Sequence, residues 1–231
     1  MESGIGTLAR GVMDALFPKF CFRCKREGTY WCRACEEAFV PWRYEERCPF
    51  CKRGESNRTC EACAAETFLD GAFGACAYAN PVVREAMGTW KYHSVKEAGE
   101  VIERWVRRAC SAVAMLPEPF EVCALPLHKT RARARGFDQS QLIAQAVAQA
   151  FGKEPMDLLE RVIATSAQAQ TSASERTVGD LDGVFAVCAE VPPRVVLCDD
   201  VFTSGATMDA AAKVLKEHGA EEVWGFAVAR S

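Results

Sequence analysis

Residues 195–207 read VVLCDDVFTSGAT. Val195, Val196, Leu197 and Cys198 form a short apolar run, the pattern of a strand buried on both faces. Two adjacent carboxylates follow, Asp199 and Asp200, and then a run of small and hydroxyl side chains. Beyond Gly205 the period changes. Ala206, Ala210, Val214 and Leu215 recur at helical spacing until His218-Gly219, a C-terminal stop. The stretch predicts strand, tight turn and helix, the repeating unit of an α/β protein.

That geometry carries a chemical expectation. A turn of Thr203, Ser204, Gly205, Ala206 and Thr207 at a helix N-terminus offers backbone N–H groups, hydroxyls and the positive end of the helix dipole. An anion suits that place, most naturally a phosphate. Asp199 and Asp200 fall at the carboxyl end of the strand, where open α/β sheets bind ligands. Carboxylates repel phosphate, but they accept hydrogen bonds from sugar hydroxyls and hold Mg2+ through water. The two halves together describe a ligand with a diol on one side and a phosphate on the other, as in a phosphorylated ribose. A nucleotide P-loop is excluded, because the pattern G-x-x-x-x-G-K-[ST] is missing.

The rest of the composition is that of an ordinary globular chain: 231 residues, 49% hydrophobic and 26% charged. A formal charge of −3 argues against nucleic-acid binding over the whole surface, though not at a local basic patch. No run approaches the roughly 18 apolar residues of a membrane span. The stretch GIGTLARGVMDALF lacks the features of a signal peptide. Ile5, Leu8, Val12 and Leu16 mark one face of a short amphipathic helix instead, and a cytoplasmic protein is expected.

Thirteen cysteines are unevenly placed. Eight form four C-x-x-C pairs: Cys21/Cys24, Cys32/Cys35, Cys48/Cys51 and Cys60/Cys63. Cys76, Cys110, Cys123, Cys188 and Cys198 are single and scattered. Paired cysteines without a secretion signal point to metal rather than disulfides, and four copies argue against a thioredoxin-like role. A C-x-x-C knuckle sets two thiolates on one side of a turn, and two knuckles complete a tetrahedral Zn2+ site. Sequential pairing gives two zinc ribbons in tandem, and a cross-braced arrangement uses the same ligands; one or two structural ions follow. Such ribbons are too small to hold a core, so metal supplies much of their folding energy. The division expected is an N-terminal helix and cysteine-rich module over 1–67 and an α/β domain with a mainly parallel sheet over 68–231. The first part carries a charge excess of +1, the second of −4.

A second informative segment is ALPLHKTRARARGFDQSQLIAQ, residues 124–145. Glu121 to Leu125 reads as a strand running into Leu127, His128 and Lys129, then a loop with Arg131, Arg133 and Arg135. A helix from Gln141 to Phe151 follows, capped by Asp138 or Ser140. Four cations within seven residues of an acidic protein suit phosphate oxygens, which guanidinium groups bind bidentately. Farther back, Pro81 to about Ala114 is helical, with Gly88 and the His93-Ser94 region marking a break between two helices.

The strand, acid pair and T-[TS]-G-x-T loop resemble the phosphoribosyl-pyrophosphate signature of type I phosphoribosyltransferases. P-L-H-K-x-R-x-R-x-R-G-F-D-Q-S resembles the arginine-rich motif of the ComF family, phosphoribosyltransferase-like proteins associated with bacterial DNA uptake. That family also begins with a cysteine-rich double zinc ribbon, and its Q-T segment is echoed by Gln170-Thr171 and Arg176, ahead of D-L-D-G-V-F at 180–185. Asp138 and Asp180 stand where the family usually has asparagine, and Asp138 adds negative charge beside the arginines. The resemblance implies a type I phosphoribosyltransferase-like domain binding phosphoribosyl pyrophosphate with Mg2+. Asp199 and Asp200 would engage the ribose hydroxyls or the cation, and residues 203–207 would cradle the 5′-phosphate. Leu127, His128 and Lys129 would meet the pyrophosphate beneath a flap carrying Arg131, Arg133 and Arg135. Catalysis would rest on positioning and charge stabilisation without a protein nucleophile. The alternative is a non-catalytic adaptor, binding single-stranded DNA or a helicase-type or DNA-uptake protein through the ribbons and the arginine loop.

Overall fold

In the computed structural model the described residues are 18–38, 46–93, 96–111, 118–127, 138–162, 181 and 183–231. Two short helices belong to the cysteine-rich segment, α1 (Arg33–Glu37) and α2 (Glu61–Ala64). Then follow β1 (Gly71–Ala77), α3 (Pro81–His93), α4 (Lys96–Cys110), β2 (Glu121–Ala124) and α5 (Gln139–Ala150). The chain continues through β3 (Leu159–Arg161), β4 (Phe185–Val187), β5 (Arg194–Phe202), α6 (Ala206–Glu217) and β6 (Glu222–Arg230).

Four strands form one parallel sheet in the order β1-β6-β5-β2, and β3 and β4 pair antiparallel in a small sheet of their own. The α/β class with a mainly parallel sheet is therefore the fold of this chain. β5 lies inside the sheet, and its side chains alternate between two cores, as a two-residue period requires. Val196 and Cys198 join the core built with α3, α4 and α5, whereas Val195 and Leu197 join the core built with α6 and β4. Trp105 and Trp224, both wholly buried, anchor the first of these.

β1 is unusual for a strand because its sequence, GAFGACA, is built of small residues with one phenylalanine. Trp224 on β6 explains this. A Cβ placed on Gly71 would lie 2.1 Å from the Trp224 ring, and Phe73 stacks on the same ring with centroids 4.8 Å apart. Only glycine lets β1 approach its neighbour in this register.

The helical stretch from Pro81 divides as expected, between His93 and Lys96, and Gly88 lies inside α3. β5 departs from expectation: it continues through the acid pair to Phe202 instead of ending before it. Its pairing with β2 ends at Ala124–Cys198, while its pairing with β6 runs on to Phe202–Arg230. The aspartates thus sit where β5 has lost one neighbour and kept the other. A crevice beside a still-rigid strand results, the position at which open parallel sheets take ligands.

Both cysteine-rich lobes pack on the α/β body, one on each side. The first lobe meets the helical face: Trp31 contacts Trp105 edge-to-face at 5.2 Å, worth about 0.5–1.5 kcal/mol beyond area burial. Its ion pairs Lys25–Glu85 and Arg104–Glu36 (3.1 Å) lie on the rim. The second lobe is hydrogen-bonded to the sheet. Ala72 N donates to Asn57 O (2.9 Å), and the buried Arg230 donates to Asn57 Oδ1 and Ala72 O, both at 2.8 Å.

Candidate ligand site and metal centres

The cysteines assemble as two groups of four, Cys21/Cys24/Cys32/Cys35 and Cys48/Cys51/Cys60/Cys63, each with its sulfur atoms within 4.8 Å of one another. The pairing is sequential, not cross-braced. Both groups are built alike. In each, a first C-x-x-C turns back through a lysine in the left-handed region, Lys25 and Lys52, both at φ +60°. Lys25 N reaches Cys21 O at 2.8 Å, and Lys52 N reaches Cys48 O at 3.1 Å. The second C-x-x-C opens a short helix, with Cys32 preceding α1 and Cys60 preceding α2.

The sulfur pairs Cys24–Cys32 and Cys51–Cys60 each stand 3.6 Å apart. A tetrahedron of zinc–sulfur bonds of 2.3 Å has edges of about 3.8 Å, so both groups fit Zn2+. Burial works to raise the Cys21 thiol, but backbone hydrogen bonds from Cys24, Cys32 and Arg23 hold it down at about 6. Cys48 is likewise at about 6, with burial outweighed by backbone bonds from Cys60, Cys51 and Phe50. Burial and neighbouring thiols push Cys35 and Cys63 up to about 12. A cation held by all four sulfurs of a group would favour the thiolate form of each.

The scattered cysteines are different in kind. Cys76 and Cys110 are buried thiols pushed up to about 12, and burial raises the Cys198 thiol well above its ordinary value. They behave as small apolar core residues.

At the end of β5, Asp199 is part-buried and its carboxylate serves two internal donors: Ser140 Oγ donates to Oδ1 at 2.9 Å, and Asp200 N donates to the same oxygen at 2.8 Å. Burial, then the charge of Asp200, pushes the Asp199 carboxyl up to about 7, against these hydrogen bonds and the nearby Lys91 cation. Lys91 Nζ lies 2.7 Å from Asp200 Oδ2, with both side chains largely enclosed. The acid pair therefore carries its own counter-charge.

The turn that follows is fixed by Gly205, which has φ +82° and caps α6. A Cβ there would meet Phe202 Cζ at 2.5 Å. Asp199, Phe202, Thr203, Ser204, Gly205 and Thr207 are among the residues around a cavity of about 60 Å³. Ser204 Oγ accepts from Ala206 N at 3.4 Å, and Asp209 N closes the first helical turn onto Gly205 O at 2.8 Å. The wholly buried Asp209 accepts from Phe68 N (2.7 Å) and Leu69 N (2.8 Å), tying the start of α6 to the chain entering β1.

The structure thus brings Asp199 and residues 203–207 around one cavity, with Asp200 adjacent in β5, while Leu127 ends the described segment after β2. His128, Lys129, Arg131, Arg133 and Arg135 lie outside the described residues, as do the amphipathic stretch with Ile5, Leu8, Val12 and Leu16, and Gln170, Thr171, Arg176 and Asp180. Asp138, not Ser140, caps α5: its carboxylate accepts from Ser140 N (3.0 Å) and Gln141 N (3.3 Å). That division of labour leaves the Ser140 hydroxyl for Asp199. Sequence reasoning missed Lys91, Ser140 as an acid partner, and Asp209. Lys91 closes an apolar helical pattern and Asp209 sits between Met208 and three alanines, and both were signals of a charge with an internal partner.

A parallel α/β sheet with an acid pair beside a glycine-capped helix, carrying two tetracysteine lobes, is the class these features define. No protein-family model matches the chain. Competence protein ComFC of Streptococcus pneumoniae is 27% identical over 187 residues, 80% of this chain and 81% of that protein. Competence protein F of Haemophilus influenzae is 33% identical over 116 residues, 47% of this chain and 50% of that one. DNA utilization protein YhgH of Salmonella typhi is 35% identical over 115 residues, 47% and 49% of the two chains. Together these similarities support placing the chain in the ComF family.

Proposed function

We propose that this chain binds phosphoribosyl pyrophosphate with Mg2+ at the end of β5 and that it serves DNA uptake. Similarity to proteins named for competence and DNA utilization supports the link to DNA uptake. The single observation that carries the ligand reading is the juxtaposition of Asp199 and Asp200 with a left-handed Gly205 at the start of a 12-residue helix. The first N–H groups of a helix have no intrahelical partner, and the dipole favours an anion there.

On this reading the 5′-phosphate takes the turn of Thr203, Ser204, Gly205, Ala206 and Thr207. The ribose diol and the cation face Asp199 and Asp200. Two carboxylates are hard oxygen donors of the kind Mg2+ takes alongside phosphate and water. Asp199 and Asp200 would hold the cation, which would supply positive charge against the ligand's phosphates. Lys91 holds Asp200 until the cation-bearing ligand arrives, and Ser140 orients Asp199 so that one oxygen stays directed at the crevice. Leu127 with His128 and Lys129 would contact the pyrophosphate, and Arg131, Arg133 and Arg135 would cover it, roles taken from sequence position alone. In each tetracysteine lobe a zinc ion would serve structure.

Calorimetric titration of the purified, zinc-loaded protein with phosphoribosyl pyrophosphate and Mg2+ tests this reading, with Asp199→Ala/Asp200→Ala beside it. Saturable binding abolished in the double variant is expected. Failure of the wild type to bind refutes the ligand assignment. Pyrophosphate release with candidate acceptors then separates an enzyme from a binding module.

A further inference from the structure

The two tetracysteine lobes have the same internal construction but unequal attachments. The first rests on α4 through Trp31 and Trp105. The second reaches the phosphate turn. Phe50 lies between Cys48 and Cys51, and its ring meets Phe202 edge-to-face at 6.4 Å. Lys52, the left-handed residue of the same knuckle, holds its ammonium 5.8 Å from the centroid of that ring. Arg230, which donates to Arg47 O at 2.6 Å, sits 5.9 Å from it. The Phe202 ring, 2% exposed, bears in turn on Gly205, against which no Cβ would fit. One chain of contacts therefore runs from the sulfur ligands to Phe50, to Phe202 and to the residue that sets the turn.

We propose that Phe50 is a positioning residue for the phosphate turn. Zinc at Cys48/Cys51/Cys60/Cys63 and phosphate at residues 203–207 are thereby coupled, whereas zinc at Cys21/Cys24/Cys32/Cys35 is not. The inference rests on the ligand reading above. The physical argument is one of discrete packing. Zinc fixes the knuckle, the knuckle fixes the Phe50 ring, and a close-packed ring pair does not slide continuously. Loss of the metal loosens Phe50, Phe202 gains room, and Gly205 is no longer confined to the conformation that directs its neighbours' N–H groups at the anion. Linkage makes the effect reciprocal, so the bound ligand must raise the affinity for the second zinc by the factor by which that zinc strengthens ligand binding, and slower release of that zinc is the expected sign of it.

The experiment uses the full chain with both zincs. Phosphoribosyl pyrophosphate with Mg2+ is titrated by calorimetry into the wild type, Phe50→Ala and Phe50→Leu. Zinc release to a chromogenic chelator is followed with and without that ligand in the wild type and in Cys32→Ser and Cys60→Ser, which assign the two phases. Phe50→Ala is expected to lose affinity about tenfold, within the usual range of coupling between sites, while retaining both zincs. Phe50→Leu is expected to restore most of that affinity. Ligand should slow the phase absent from Cys60→Ser and leave the other unchanged. Wild-type binding with unaltered affinity in Phe50→Ala, or with ligand slowing neither phase or both, overturns the coupling alone. No binding by the wild type overturns the ligand reading and the coupling together.

Discussion

Gly205→Ala is the sharpest perturbation of the site. Two costs add. An alanine at φ +82° pays about 1–2 kcal/mol for the left-handed backbone. Its Cβ would also stand 2.5 Å from Phe202 Cζ and 3.1 and 3.2 Å from the two Cε atoms, inside any tolerable contact. The ring has nowhere to retreat, since Phe50, Lys52 and Arg230 surround it. Overpacking of this kind costs about 1–3 kcal/mol. The sum is about 2–5 kcal/mol, and in a chain of this size each kcal/mol moves the melting temperature by about 2–4 °C. Thermal unfolding followed by circular dichroism should therefore show a fall of at least about 4 °C. Gly88→Ala is the control of opposite sign. Gly88 lies inside α3 with nothing within 4 Å of a new Cβ, and helix propensity favours alanine by about 0.5–1 kcal/mol. A Gly205→Ala protein melting with the wild type, or a Gly88→Ala protein losing as much as Gly205→Ala, refutes the reasoning from this turn.

Lys91→Ala removes the counter-charge of Asp200 and should cost about 1–3 kcal/mol, because a largely enclosed carboxylate loses its partner. The same variant should gain more thermal stability from added Mg2+ than the wild type gains, since the cation no longer displaces an ammonium. For pH, the folded Asp199 carboxyl at about 7 lies above its ordinary value, so between about pH 4 and 7 the native state holds a proton that the unfolded chain has released. Stability of the zinc-loaded, Mg2+-free wild type should fall across that window, by at most about 4 kcal/mol, and level off above it; urea midpoints for Asp199→Asn should lack this slope. Asp138→Ala should lose about 1 kcal/mol of helix capping in urea unfolding, while Asp138→Asn stays within about 0.5 kcal/mol, because asparagine caps as well.

What was legible in the sequence is what is chemically local. The C-x-x-C pairs, the acid pair and the small-residue turn each lie within a few positions of one another, and the structure assembles each as a unit. Helix boundaries at Pro81, near His93 and at His218 followed from periodicity and stop signals. β1 escaped because seven small or neutral residues carry little β propensity of their own. It is a strand because Trp224, 153 positions on, accepts only glycine opposite it. The β3–β4 pair escaped for a related reason: three residues on each side show no period. Lys91, Ser140 and Asp209 act through partners far along the chain, and a side chain's spacing to its sequence neighbours says nothing of those.

The same division explains why the cysteine-rich segment is not an ornament on the α/β body. A lobe of four cysteines is too small for a core of its own and would be folded by a metal bound to it. It can transmit that order only through the few side chains it presents. The first lobe presents Trp31, a large ring, to α4 in the middle of the helical face, far in sequence from the acid pair. The second presents Phe50 and Lys52 to the last residue of β5, where the strand has already lost β2 and is held by β6 alone. A strand end with one neighbour is the place where outside packing has most leverage on backbone conformation. The turn after Phe202 holds a left-handed glycine, and β6 contributes Arg230 to that side of the ring. The knuckle of the second lobe contributes Phe50 and Lys52. On the coupling proposed above, stability of the turn and integrity of the second lobe would be one property of the protein rather than two.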